Sequence, residues 1–299
     1  MFYKLCKFFA VAGVLLCSST QLFAAEKKVV KSNNKPTVEI PFDDSVEKVP
    51  LNFRANNPVS IYIALNKNMN KYEKTEFETI DVYNKRMDEL TKSSLIDKVF
   101  INSTISFVPT LIDETSYDAE NGMMTVKIKN EIIFDNNMGL KASKIKSTPI
   151  DADNIPKAVK AFGADNGGLS GIEIFKHLQK TKKYTGTNAF GVKLKVTSKT
   201  YDIFTIAAMN DGKIIKPYSD ISFKIPMDSE TAKDAKEFGR LLFIGKLVYP
   251  FQGKNFSQTS ATIDSPTEIF EYTNYMSMKI TGIWYYNGRS GVVYHKEAL

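Results

Sequence analysis

The chain is poor in cysteine, histidine and arginine, and each shortage excludes a class of chemistry. Its only two cysteines, Cys6 and Cys17, lie within the first 17 of 299 residues. If this N-terminal segment is removed, no thiol remains, which excludes disulfides, cysteine nucleophiles and cysteine-ligated metal centres. A chain of this length without disulfides depends on a hydrophobic core, and 43% hydrophobic residues can supply one.

The two histidines, His177 and His295, are far apart in the sequence. A histidine-based metal site needs two or three ligands that converge on the ion. Neither histidine has a second one at helical spacing, so both are interpreted as surface or half-buried residues. We therefore predict no metal site and no cofactor.

Arginine is scarce in a basic chain. The formal net charge is +7, but only four residues are arginine, namely Arg54, Arg86, Arg240 and Arg289. Because arginine is the preferred side chain for bidentate contacts with phosphates and bases, we predict no nucleic-acid partner. The lysines are interspersed with acids, although a lysine surface that adsorbs to anionic lipid or polysaccharide is an alternative that salt would weaken.

Long hydrophobic runs are absent except at the N-terminus. Met1 to Lys7 contains two lysines and no acid, and Phe8 to Cys17 is apolar or small. A small residue, Ala24, follows a polar stretch, and this layout predicts a secretory signal peptide over residues 1–24. The apolar run is half of the roughly 20 residues that a helix needs to span a bilayer. We expect a periplasmic or secreted protein without a transmembrane anchor, whose formal charge after cleavage is +5.

An alternative interpretation makes Cys17 the acylated first residue of a lipoprotein. The residue before a lipoprotein cysteine is small, whereas Leu16 is bulky. The sequence therefore disfavours a lipoprotein.

Composition divides the rest of the chain into three parts. Glu26 to Pro50 mixes Lys, Asn, Pro and acids, which is typical of an exposed leader, and Tyr184 to Asn188 is a polar break. We predict a flexible leader over 25–50, an α+β domain over 51–187, and a β-rich domain with one helix over 188–299.

Periodicity predicts the elements within these parts. Apolar residues at three- and four-residue steps from Phe77 to Ile96 predict one long helix, and shorter helices are expected at Ser170–Leu178 and Asp228–Phe238. Alternation predicts a strand at Val59–Leu65, and Asn121-Gly122 predicts a hairpin turn. Further strands are expected at 101–107, 125–134, 190–196, 201–209, 241–249, 268–272, 275–286 and 292–295. The order of elements predicts an α+β fold with mostly antiparallel sheets, a few helices and one long helix in the N-terminal half.

One glycine-rich stretch, Gly163 to Gly171, precedes a predicted helix, where a phosphate could bind. It lacks the Lys-Ser or Lys-Thr of a P-loop and the spacing of a hydrolase nucleophile elbow. Ser170 and Glu173 have the spacing of a capping box, which we prefer to anion binding or to a Ser170 nucleophile.

Two kinds of candidate site are left. Asp113-Glu114 and Asp118 with Glu120 are acids in a loop and turn, and two carboxylates suffice for glycoside hydrolysis. No catalytic residue is assigned to them, because sequence does not give their separation.

Aromatic residues are densest at Trp284-Tyr285-Tyr286, followed by Asn287-Gly288-Arg289. On a strand, Trp284 and Tyr286 point to one face and Tyr285 to the other. We predict a binding surface of Trp284, Tyr286 and Arg289, with cross-strand aromatic packing as the alternative. A second candidate surface is the polar segment Gln252–Ser260, predicted to be a long loop.

These features predict an exported, non-catalytic binding or interaction protein whose partner is another envelope protein or a polysaccharide. The alternative is a carboxylate-dependent hydrolase that acts on an envelope polymer. A cleft that holds two acids within about 10 Å of each other would favour the hydrolase. An exposed apolar patch around Trp284 would favour the binding protein.

The signal peptide gives the first testable prediction. Expression with export in a bacterium should yield a mature chain that begins at Ala25, because Ala24 supplies the small residue at the cleavage site. Intact-mass measurement of the exported protein checks this. Recovery of the uncut chain from the cytosol would contradict it.

Overall fold

Four long strands form the framework of the fold. The computed structural model describes residues 38–110, 112, 114–128, 131–134, 169–187, 191–210, 213–214 and 221–298. The strands are β1 Ser94–Ile96, β2 Val99–Phe100, β3 Ile105–Phe107, β4 Glu114–Asp118, β5 Met123–Ile128, β6 Glu131–Phe134, β7 Leu169–Thr187, β8 Lys193–Asn210, β9 Lys213–Ile214, β10 Ile221–Pro226, β11 Gly239–Thr259, β12 Thr267–Asn287 and β13 Val293–Ala298.

The largest sheet follows the order β3-β11-β12-β8-β7-β6, with β13 paired to β12 and β9 to β8. Its pairs are antiparallel except β8 with β12, which run parallel from Thr197↔Thr267 to Met209↔Lys279. A three-stranded sheet has the order β10-β5-β4, and β1 pairs with β2. The large sheet is curled.

The prediction of an α+β fold with one long helix is wrong, because the structure is mostly β and its described helices are short. These helices are α1 Pro58–Lys67, a 3-10 turn at Met69–Lys71, α2 Ile80–Thr91 and α3 Ser229–Phe238. The expected long helix is reduced to the 12 residues of α2. Thr79 caps its start by accepting a hydrogen bond from the Val82 amide, so Phe77 lies before the helix, while Ile96 lies in β1.

Two local predictions are reversed by tertiary context. Val59–Leu65 is helical, since Asn57 accepts a hydrogen bond from the Ser60 amide at 3.0 Å and Pro58 occupies the first turn. Ser170–Leu178 is part of β7, where pairing with β6 and β8 satisfies the backbone. The predicted capping box of Ser170 and Glu173 therefore does not form.

Other predictions are confirmed. The helix expected after Asp228 is α3, and the Asp228 carboxylate accepts a hydrogen bond of 2.7 Å from the Thr231 amide. Asn121-Gly122 joins β4 to β5. The predicted loop Gln252–Ser260, in contrast, is wrong, because β11 continues through Thr259.

We call the part of the sheet around Phe243 of β11 and Tyr285 of β12 the base. Side chains alternate along its strands, and both of its faces are buried. Phe243 and Tyr285 point into the main core, which also contains residues of α1 and of the three-stranded sheet. Leu242 and Trp284 point to the other face, into a second cluster with Phe42. The base is therefore packed on both sides.

The described part of the predicted leader, residues 38–50, contacts the rest of the protein, and the predicted domain boundary follows the last residue of β7. Within 38–50, Phe42 and Val49 are buried in the second cluster, and Lys48 forms a bridge with Val292. The boundary expected at 187/188 lies between β7 and β8, which pair from Ile172↔Ile206 to Thr187↔Lys193. Residues 38–299 form one compact unit.

Beyond the base, the same four strands continue as a projection, which we call the arm. It consists of residues 175–187 of β7, 193–202 of β8, 252–259 of β11 and 267–275 of β12. Within it, only Val196 and Ser198 are buried. Among the described residues, the arm is a single layer except where residues 252–254 contact Tyr62 and Asn66 of α1.

The contact between the N-terminal segment and the last hairpin gives the second prediction. Gly291 has φ +74, and an added Cβ would lie 1.9 Å from the Val49 carbonyl oxygen. Gly191 has φ +80 but no atom within 4 Å of its Cβ position. Gly291→Ala and Gly191→Ala should each lower the free energy of unfolding by about 1–2 kcal/mol, because each places a side chain on backbone with positive φ. Gly291→Ala should lower it further through the clash with the Val49 carbonyl oxygen.

Urea denaturation of both variants measures the difference in the free energy of unfolding. Equal losses in the two variants would show that the Val49–Gly291 contact is unimportant for stability.

Candidate binding surface on the arm

The aromatic residues predicted to form a surface lie inside the protein. Trp284 is 4% exposed and Tyr286 is 8% exposed. The Phe42 ring meets Trp284 edge-on at 5.3 Å, and the Lys296 Nζ lies 3.9 Å from the Trp284 ring centroid. The predicted alternation is confirmed, since Tyr285 belongs to the opposite cluster. This arrangement matches the aromatic packing that the sequence offered as the alternative.

The Arg289 guanidinium covers the Phe238 ring, with 3.6 Å between its central carbon and the ring centroid. Its backbone amide donates to the Asn287 side-chain oxygen at 2.8 Å. Arg289 therefore lies at the turn after β12, next to the end of α3.

The histidines lie in separate surroundings. His177 is on β7 and its ring is stacked with that of Phe175. His295 is on β13, where its Nε2 lies 2.9 Å from Glu297 Oε2 and its ring stacks on Phe223. Across the part of the chain that the structure describes, no three His, Cys, Asp or Glu side chains are grouped as metal ligands.

The acids considered as a possible carboxylate pair, to which no catalytic role was assigned, occupy a turn and a strand pair. Asp118 accepts hydrogen bonds from the amides of Glu120 and Asn121, and hydrogen bonds from Asn121 hold the pKa of Asp118 below its usual value. Glu114 pairs with Lys127 at 2.8 Å. Asp113 and the glycine-rich stretch 163–168 lie outside the described residues.

A pocket of about 530 Å³ opens on the arm. Its lining combines two lysines, two aromatic residues, a hydroxyl and a carboxylate, namely Lys182, Lys183, Tyr184, Ser198, Glu268 and Phe270. Strand register brings these residues together, because Lys182, Ser198 and Glu268 form one row across β7, β8 and β12. Residues directly opposite each other on paired strands share a face of the sheet.

Glu268 lies at the β12 end of this row and is held there by residues of two other strands. Its Oε2 accepts a hydrogen bond of 3.3 Å from the Tyr184 hydroxyl on β7. Its Oε1 accepts one of 3.2 Å from Gln258 Nε2 on β11. Local desolvation of the phenol, followed by the Glu268 charge and hydrogen bond, raises the pKa of Tyr184, so the phenol is a neutral donor at neutral pH.

The two lysines of the pocket are exposed, and among the described residues neither forms an ion pair. Lys176, also on β7, provides a contrast: its Nζ pairs with Glu271 at 2.9 Å and lies 4.8 Å from the Tyr201 ring centroid. Alternation along β7 puts Lys182 on the face of Ser198 and Glu268 and Lys183 on the opposite face, so Lys182 presents its charge on the face of the pocket.

Three aromatic rings continue from the pocket along β11 and β12, and we call Phe256, Phe270 and Tyr272 the aromatic stripe. The rings of Phe256 and Phe270 are stacked with centroids 6.2 Å apart, and Tyr272 lies 5.0 Å from Phe256. Tyr272 is 42% exposed. The stripe shares the face of Glu268, because residues two apart on a strand point the same way.

Sequence reasoning found one part of this surface and missed the rest. The predicted contact segment Gln252–Ser260 contains Phe256 and Gln258, although as a strand and not as a loop. The period-two spacing of Glu268, Phe270 and Tyr272 was a usable signal for one shared face. The lysines of β7 were missed because that segment was predicted to begin as a helix.

Comparison of the chain with protein-family models, curated proteins and solved structures finds no match. Within the described residues, none of the helices has the length and apolar character needed to cross a bilayer.

The burial of Trp284 and the exposure of Tyr272 give the third prediction. Trp284→Ala should lower the free energy of unfolding by about 3–5 kcal/mol, because it leaves a cavity in the second cluster. Tyr272→Ala should change it by at most about 0.5 kcal/mol, since its ring is partly solvated and packs on no core. Urea denaturation checks both values. A small loss for Trp284→Ala would mean that Trp284 is not needed for packing.

Proposed function

We propose that the protein is an exported, non-catalytic binding protein that holds a negatively charged envelope partner on one face of the arm. The pocket carries this proposal, because it places Lys182, which has no ion-pair partner among the described residues, beside aromatic rings. Export is supported by the pattern of residues 1–24.

The physical basis is charge attraction combined with a shaped surface. A lysine near a negatively charged surface contributes about 1 kcal/mol of attraction. Ligand sites also combine apolar walls with a few convergent polar groups, as Phe270, Ser198 and Glu268 do here. The arm contributes little to the core, so its side chains are available for recognition.

The fourth prediction tests whether Lys182 of the pocket binds anions. The probes are two acidic polymers, alginate and poly-glutamate, and the protein is the mature chain. Lys182→Ala should weaken binding of the recognised polymer about fivefold. Added salt should weaken binding of the unaltered protein as well.

A matched control removes the same charge elsewhere. Lys233 is exposed on α3, and Lys233→Ala should leave the affinity nearly unchanged. If neither polymer binds, or if the two variants lose affinity equally, the arm is not the binding surface. Isothermal titration calorimetry gives the affinities.

A further inference from the structure

We infer that the ligand of the arm is a linear acidic polysaccharide, which lies across the aromatic stripe with an acid group at Lys182. This inference rests on the proposed function and names the ligand class of the same pocket.

The aromatic stripe favours sugar rings as the repeating unit. Aromatic faces carry partial negative charge, so they attract the weakly positive C–H groups on the flat side of a sugar ring. Phe256 and Phe270 are half-buried and Tyr272 is exposed, which leaves ring surface available on the same side of the sheet as the pocket. A ligand without flat apolar faces would gain little from these residues.

Glu268 distinguishes a polymer that carries hydroxyl groups from one whose side chains are all carboxylates. Its carboxylate lies in the same row as Lys182. A poly-acidic peptide would bring a negative group close to Glu268 and be repelled by it. A uronate ring carries hydroxyls on the edge opposite its carboxylate, so a hydroxyl can donate a hydrogen bond to Glu268 while a carboxylate of the chain reaches Lys182.

The separation of these features requires an extended ligand. Lys182 lies on β7, Glu268 two strands away on β12, and Phe256 one strand further on β11. Three strand spacings amount to roughly 14 Å. A single sugar ring cannot contact all three groups, whereas a chain of several rings can.

The fifth prediction compares three polymers on the mature protein: alginate, which is a polyuronate, dextran, which is neutral, and poly-glutamate. Alginate should bind most tightly. Tyr272→Ala should weaken alginate binding about threefold to tenfold, which corresponds to the loss of one aromatic contact.

Phe77→Ala is the matched control, because Phe77 is 93% exposed and lies outside the arm. This variant should bind alginate with the affinity of the unaltered protein. Circular dichroism and urea denaturation establish that the variants are folded. If Tyr272→Ala is unfolded, Phe270→Leu, which keeps an apolar side chain but removes the ring, provides the same test.

The outcomes separate this inference from the proposed function. Lysine-dependent binding of poly-glutamate without alginate binding would overturn the polysaccharide inference and leave an anion-binding arm. Equal binding of dextran and alginate, or alginate binding that neither Tyr272→Ala nor Phe270→Leu affects, would also overturn the inference. Failure of both acidic polymers would overturn both proposals.

Discussion

The hydrogen-bonded ladder of β7, β8, β12 and β11 is the constraint on which the rest of the structure depends. The pairing of β11 with β12 extends from Gly239↔Asn287 to Thr259↔Ile269, with register shifts only at Ile244/Gly245 and Leu247/Gln252. A strand register decides which side chains share a face, because a slip of one residue would move every side chain to the other side. The two buried clusters at the base and the pocket on the arm therefore follow from one set of backbone pairings.

At the base, this ladder of strands is buried on both faces. The N-terminal segment covers the second face, and hydrogen bonds to the buried carboxylate of Glu39 hold the segment in place. Its Oε2 accepts a hydrogen bond of 3.0 Å from Asn56 Nδ2, and the Asn57 amide donates to the same oxygen at 3.2 Å. Burial of a charged group requires such partners, since an unsatisfied carboxylate would lose its solvation without compensation. Trp284 is sequestered because this segment closes over it.

The strands of the arm pair as they do at the base, although only Val196 and Ser198 of the arm are buried. Its backbone is satisfied by neighbouring strands, so its side chains need not pack against another layer. Lysines, aromatic rings and the Glu268 carboxylate can thus be arranged for contact with a ligand. The rows that cross the sheet place residues from three distant segments within one pocket, and no single segment contains the whole site.

Local sequence determined the features that depend on neighbouring residues. Asp228 began α3, Asn121-Gly122 formed a turn, and alternation separated Trp284 from Tyr285, because caps, turns and strand faces are short-range properties. Tertiary structure decided the rest. The segments Val59–Leu65 and Ser170–Leu178 changed type, since short apolar patterns fit both helix and strand until their partners are present. Only strand pairing could bring Lys182, Glu268 and Gln258 together, because cross-strand register joins residues that sequence separates by tens of positions.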